Sequence, residues 1–169
     1  MNDSSSKSGR RMKLLALGVV FLAVIAWLWL ARHRSLQIMH KRNCLAYMVA
    51  INSSGRMWAN DNGDRMPRTL TEMSNELSSP KVLFCMADPS AQKLREQMSS
   101  WDKFDERRCS YEIVNPGISE SNPTNVFIRC KAHGHLGYVD GSVFDGKRRL
   151  SGHEAKFGTP APNASSNKF

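Results

Sequence analysis

The residues in this chain that could do chemistry are four cysteines, Cys44, Cys85, Cys109 and Cys130, and two histidines close to the last of them, His133 and His135. Thiolate and imidazole are preferred ligands of tetrahedral zinc, and Cys130, His133 and His135 fall within six consecutive positions. The chain has no Cys-x-x-Cys pair and its other cysteines are scattered, so the expectation is no metal ion and no cofactor. A Gly-flanked His beside a strand reads first as a turn residue with a satisfied ring nitrogen. A nucleophilic thiol is the second chemistry to weigh. Arg129 and Lys131 flank Cys130 and would favour its thiolate, with His133 as the base. No third group is placed to orient that base, and no oxyanion hole is recognisable. Phosphate-binding Gly loops, paired carboxylates and a Ser-His-Asp arrangement are also absent as motifs. Disulfides are the third chemistry. In an oxidising compartment four cysteines make two bridges, with three connectivities open, and each bridge contributes roughly 2–4 kcal/mol by restricting the unfolded chain.

Two acidic clusters invite a calcium reading. In Asn60-Asp61-Asn62-Gly63-Asp64, an EF-hand register anchored on Gly63 puts Trp58 at the first ligand position and Thr69 at the last, so the template fails. The cluster reads instead as a helix stop, completed by Pro67. Asp140 and Asp145, five apart, could share one ion with turn carbonyls. The simpler account is that Asp140-Gly141 and Asp145-Gly146 are turn formers.

These residues must be positioned by a chain of 169 residues, 41% apolar and 23% charged, which suits one globular domain with an appended segment. Collagen-like, coiled-coil and wholly disordered classes are excluded. The net charge of +9 divides into +5 over the first 34 residues and +4 over the rest. Charge gathered beside an apolar segment is a membrane signal, whereas a nucleic-acid footprint would lie on the folded domain. From Leu14 to Ala31 the sequence carries no charge for 18 residues, roughly 27 Å of helix and close to the hydrocarbon thickness of a bilayer. Trp27 and Trp29 sit at its far end, where an aromatic belt belongs. Bulky residues occupy the position where signal peptidase needs small ones, which predicts an uncleaved anchor. Lys7, Arg10, Arg11 and Lys13 before the segment match Arg32, Arg34, Lys41 and Arg42 after it, so basic residues do not orient it.

Beyond the membrane segment, Leu36, Ile38, Met39, Leu45, Met48 and Val49 are spaced in threes and fours, with Met57 or Trp58 to follow. That predicts a helix continuing to about residue 62 with one face buried. A short helix is expected over 70–77, from the capping-box pattern of Thr69 and Glu72, then a strand over 81–86. A polar stretch opening at Asp88 could be helical to Met98. Trp101 reads as a core anchor or loop plug. Strands are expected over 110–114 and 125–130, and a hairpin over 136–144 with Asp140 and Gly141 as a two-residue turn. The resulting organisation is a basic segment 1–13, a transmembrane helix 14–31, an α+β domain 32–150 with the helix covering a small antiparallel sheet, and a disordered tail 151–169.

Cys44-Leu-Ala-Tyr47, the run from Trp58 to Pro67, Leu83-Phe-Cys85 with Asp88, and His133 to Val143 ending in Asp140-Gly141-Ser-Val143 follow one another in order. Together they resemble bacterial pilin-like proteins related to type II secretion pseudopilins. The closest group has a "YANDNxGxxP"-like helix end, an "FxCPSD"-like strand and an "HGxxxxxxDGxV"-like hairpin. The likeness covers about residues 14–146. It departs from prepilins at the N-terminus, where Gly9-Arg10-Arg11-Met12-Lys13 stands in place of the usual leader motif and the membrane helix has no Glu. It departs again at Cys85-Met86, where Cys-Pro is usual.

The resemblance implies a pilin-like fold, a domain exported to the periplasm from a bacterial inner-membrane anchor, and a structural or assembly role. The partners it implies are the lipid bilayer and other pilin-like or secretion-system proteins, with no nucleic acid. It also implies Cys85–Cys130 as one disulfide, since both cysteines lie in motifs that recur in the family, which leaves Cys44 with Cys109. The rival reading is a membrane-tethered periplasmic enzyme, thiol or metal dependent, with Cys130 and His133 at its site.

Overall fold

The computed structural model describes residues 4–157, with side chains from 17 to 155. The side chains of Lys7, Arg10, Arg11 and Lys13, and the tail beyond Phe157, lie outside the described residues.

Helix α1, Ser4–Asp61, runs from a first unit ending at Met39 into a second that begins at His40. Its two parts obey different physics. Over 17–30 its large apolar side chains are exposed, Phe21, Trp27 and Trp29 by about two thirds. This is a helix long and apolar enough to cross a membrane, the one such among the described residues. Within this first unit Trp29 stacks on His33, with ring centroids 5.8 Å apart.

In the second unit α1 is amphipathic. Cys44, Leu45, Met48, Ile51, Asn52, Gly55 and Ala59 are buried, and their threes-and-fours spacing is that of one helix face. Leu45 and Met48 are core residues as expected, whereas Leu36, Ile38, Met39 and Met57 remain exposed. The helix ends at the Asn/Asp cluster. The Asp64 N–H donates to the Ala59 carbonyl, and Gly63 and Asp64 both take positive φ, the left-handed geometry that closes helices.

A five-stranded antiparallel meander follows: β1 Tyr111–Ile113, β2 Val126–Cys130, β3 Leu136–Tyr138, β4 Val143–Phe144 and β5 Arg149–Leu150, ordered 1-2-3-4-5. The helix meets the sheet where side chains are missing. A Cβ at Gly55 would lie 2.8 Å from the Phe127 ring, and one at Gly137 would lie 2.7 Å from the Asn52 amide. The two glycines, one on each element, permit the close approach. A long helix with a small antiparallel sheet is the expected α+β class.

Several local expectations are corrected. Residues 81–86 do not form a strand. Pro80–Leu83 is a 3-10 turn, opened by Ser79 accepting from the Lys81 N–H, with Pro80 at its first position. The end of this turn and the two residues after it, Leu83, Phe84 and Cys85, are all buried, where a strand would point alternate residues apart. The helix expected over 70–77 shrinks to a 3-10 turn, Thr71–Met73. Asp88 caps a true helix, α2 (Pro89–Gln97), through the Ser90 N–H. Trp101 is half-buried, edge-on to Phe104.

The β3–β4 hairpin forms at the expected place, but its loop is three residues long, Val139-Asp140-Gly141. The Tyr138 N–H donates to the Ser142 carbonyl and the Gly141 N–H to the Tyr138 carbonyl. A two-residue turn of either hairpin type would need positive φ at its first residue, Asp140, and in this loop Gly141 adopts it instead, at 85°. The domain also continues past 150. Gly152–Phe157 forms a short helix, α3, with Ala155 buried, where a disordered tail was expected to begin.

Candidate functional site

Cys44 projects from the buried face of α1, Cys85 follows the 3-10 turn at Pro80–Leu83, Cys130 ends β2, and His133 lies in the short β2–β3 connection. Their three Sγ atoms and one ring nitrogen lie within 4.8 Å of one another. His133 Nδ1 is 3.3 Å from Cys85 Sγ and 3.9 Å from Cys130 Sγ. All three cysteines are buried and His133 is half-buried.

Local hydrogen bonds fix each donor. The Asp88 N–H donates to the Cys85 carbonyl, and the Gly134 N–H to the Cys130 carbonyl. Gly134 at φ 67° reverses the chain so that the Cys130 N–H can accept its place in the sheet by donating to the His135 carbonyl. The Tyr111 hydroxyl, wholly buried, donates to Cys44 Sγ at 3.5 Å.

Three thiols in contact cannot titrate independently. Cys85 is held well below the usual thiol range, because its thiolate accepts from Cys130 and Cys44 and from the Ala87 backbone N–H. Cys44 is driven far upward, first by donating to Cys130 and to Cys85 and then by burial. For Cys130 the contact with Cys44 lowers the value, but donation to Cys85 and burial prevail and leave it at about 11. The cluster thus favours one thiolate, centred on Cys85.

The sulfur pairing anticipated from the sequence is corrected here. No disulfide links the four cysteines, all of which are free and buried. Cys85 and Cys130 do meet, but Cys44 joins them and not Cys109. The Cys109 thiol instead donates to the Glu106 and Tyr111 carbonyls, at 3.1 and 2.9 Å, and burial pushes it up to about 11. An even count of four is therefore divided three and one. Two bridges would require one of the three gathered cysteines to pair with Cys109, whose thiol is engaged by its own segment.

The metal set considered from sequence was also partly wrong in membership. His135 is not among the gathered donors. Its ring stacks on His133 with centroids 4.8 Å apart and planes 4° from parallel, and its buried Nδ1 has no hydrogen-bond partner. Burial, with the His133 ring and Lys41 close by, lowers its pKa to about 4. Cys130-x-x-His133 was the local signal for the gathered set. Cys44 and Cys85, 41 positions apart, carried no spacing signal at all.

Asp140 and Asp145 are engaged elsewhere. Asp140 accepts from the Ser142 N–H and hydroxyl and pairs with Arg149 at 2.9 Å. Asp145 accepts from the Lys147 and Arg148 N–H groups, with Lys41 at 3.8 Å. Each carboxylate serves its own turn and its own cation.

Chemically, the cluster offers four soft donors in a closed space. That suits tetrahedral metal coordination and is poorly suited to nucleophilic attack, which needs an accessible thiolate and an open approach. Comparison of the chain with protein-family models, with curated proteins and with solved structures finds no match.

Proposed function

We propose that this protein is a non-enzymatic, membrane-anchored pilin- or pseudopilin-like component, with a structural or assembly role related to type II secretion or type IV pili. The observation that carries the reading is the division of α1, whose exposed apolar part precedes an amphipathic part packed under the sheet. One helix serving as both anchor and domain spine is the layout the motif resemblance implies. The Trp58–Pro67 and His133–Val143 motifs occupy the helix end and the β3–β4 hairpin. In this reading the domain lies on the periplasmic side of a bacterial inner membrane, and its binding chemistry is helix-face packing and strand pairing with like proteins at the β1 or β5 edge.

The thiol-enzyme alternative has less support, since Cys130 is fully buried with its thiol at about 11. A C-terminal alkaline phosphatase fusion tests export and anchoring together. The expected result is an active fusion that stays with membranes after carbonate washing. A fusion that is inactive while the matching fluorescent-protein fusion glows overturns the periplasmic placement, and release by carbonate overturns the anchor. Chemical crosslinking in membranes is expected to trap other pilin-like proteins, and crosslinks confined to unrelated soluble proteins count against the assembly role.

A further inference from the structure

We infer that Cys44, Cys85, Cys130 and His133 form a closed, structural zinc site that ties α1, the segment after the 3-10 turn and the β2–β3 connection into one unit. This goes beyond the proposed function and does not depend on it.

Geometry is the first argument. Zinc bonds of about 2.3 Å to sulfur and 2.0–2.1 Å to nitrogen imply donor–donor edges of roughly 3.6 Å in a tetrahedron. Two of the three sulfur–nitrogen separations, 3.3 Å for Cys85 and 3.9 Å for Cys130, bracket that value. The widest separation in the cluster, 4.8 Å, needs a contraction of about 1 Å.

Donor chemistry is the second. Three sulfurs and an imidazole with no carboxylate are a soft set, unsuited to calcium or magnesium. Zn2+ held by three thiolates and a neutral imidazole makes a site of net charge −1, and whichever thiol protons remain in the free cluster pass to solvent on binding. A hydrogen-bond donor already stands beside that charge, the buried Tyr111 hydroxyl on Cys44. Such an outer donor is what a metal-bound thiolate requires.

Number is the third. Three gathered thiols cannot be consumed by disulfides without leaving one over, whereas with the imidazole they complete four-coordination. Because all four positions come from the protein and the sulfurs are buried, no open position remains for water or substrate, which marks a structural and not a catalytic site.

The test uses the full-length chain in detergent, purified under reducing conditions and loaded with zinc or, separately, cobalt. The expected results are one zinc per chain by elemental analysis and, with cobalt, tetrahedral visible bands plus thiolate-to-metal charge transfer. Cys109→Ser is expected to keep both signals, and Tyr111→Phe to keep full loading with affinity about tenfold weaker. Cys85→Ser and His133→Ala are expected to weaken zinc at least 100-fold in competition with a chelator. Less than half a zinc per loaded wild-type chain with no charge-transfer band overturns the inference, whatever the variants do. Binding unchanged by Cys85→Ser and His133→Ala also overturns it, as does a disulfide among Cys44, Cys85 and Cys130 in the purified protein. Iron or copper bound in preference to zinc overturns the choice of metal.

Discussion

Replacing Gly137 by Ala tests how the helix meets the sheet. The added Cβ would lie 2.7 Å from Asn52 Nδ2, from Asn52 Oδ1 and from Ile128 Cγ2. Asn52 and Ile128 are wholly buried, so neither can swing into solvent to make room. Overpacking of this kind costs about 1–3 kcal/mol. Displacing Asn52 also endangers its 3.4 Å hydrogen bond to the Ser142 carbonyl, worth about 1 kcal/mol. The reduced freedom of the unfolded chain returns about 0.4–1 kcal/mol, leaving a net loss of roughly 2 kcal/mol. In a urea titration at fixed detergent, followed by near-UV circular dichroism, an m-value of about 1–3 kcal/mol/M turns that loss into a midpoint lower by roughly 1 M. Asn52→Ala in the same chain removes one of the two obstructing groups, so the double variant should lose less than the sum of the singles. An unchanged or raised midpoint for Gly137→Ala, or strict additivity with Asn52→Ala, would refute the close approach of α1 to β3.

Other outcomes follow from the same structure. Gly55→Ala should destabilise less than Gly137→Ala, because the contact at 2.8 Å on Phe127 is offset by about 1 kcal/mol of helix propensity; the same urea titration ranks the two. Removal of metal by a chelator should lower the thermal midpoint and broaden the transition in wild type but not in Cys85→Ser, since metal binding and folding are coupled; scanning calorimetry reads the difference. Burial would raise the Asp88 carboxyl, but hydrogen bonds from Ser90 and Ser110 hold it below its usual 3.8. Its contribution is therefore complete above pH 3.8 and is lost as the pH falls through the lower folded value. Asp88→Asn should accordingly be less stable than wild type at neutral pH and converge with it in acid, as checked by melts across pH. Asp88→Ala should cost about 1 kcal/mol at neutral pH through the lost cap.

Much of this architecture is local and so was legible in the residues. The uncharged run Leu14–Ala31, the helix continuing from it with Leu45 and Met48 on its buried face, the helix stop at Asn60–Asp64 and the β2 and β3 strands each follow from neighbours in sequence acting on neighbours, whereas Leu36, Ile38, Met39 and Met57 fit the spacing and stay exposed. Misreadings arose where burial overrode a local pattern. Residues 81–86 have strand-like composition, yet Pro80 and the joint burial of Leu83, Phe84 and Cys85 select a turn. The Asp140-Gly141 pair marked the hairpin correctly, while the loop length was set by which residue takes positive φ.

The sulfur chemistry depended wholly on the tertiary structure. A count of four cysteines suggests two pairs, and nothing in the spacing distinguishes Cys109 from the rest. Packing α1 on the sheet brings Cys44 to Cys85 and Cys130, and the β2–β3 reversal turns His133 toward them. Cys109 is kept apart by two backbone carbonyls of its own segment. The positions of the long helix, its apolar run and the β2 and β3 strands are written in the periodicity of adjacent residues. Which donors share a site depends instead on how segments distant in sequence pack, which no local pattern encodes.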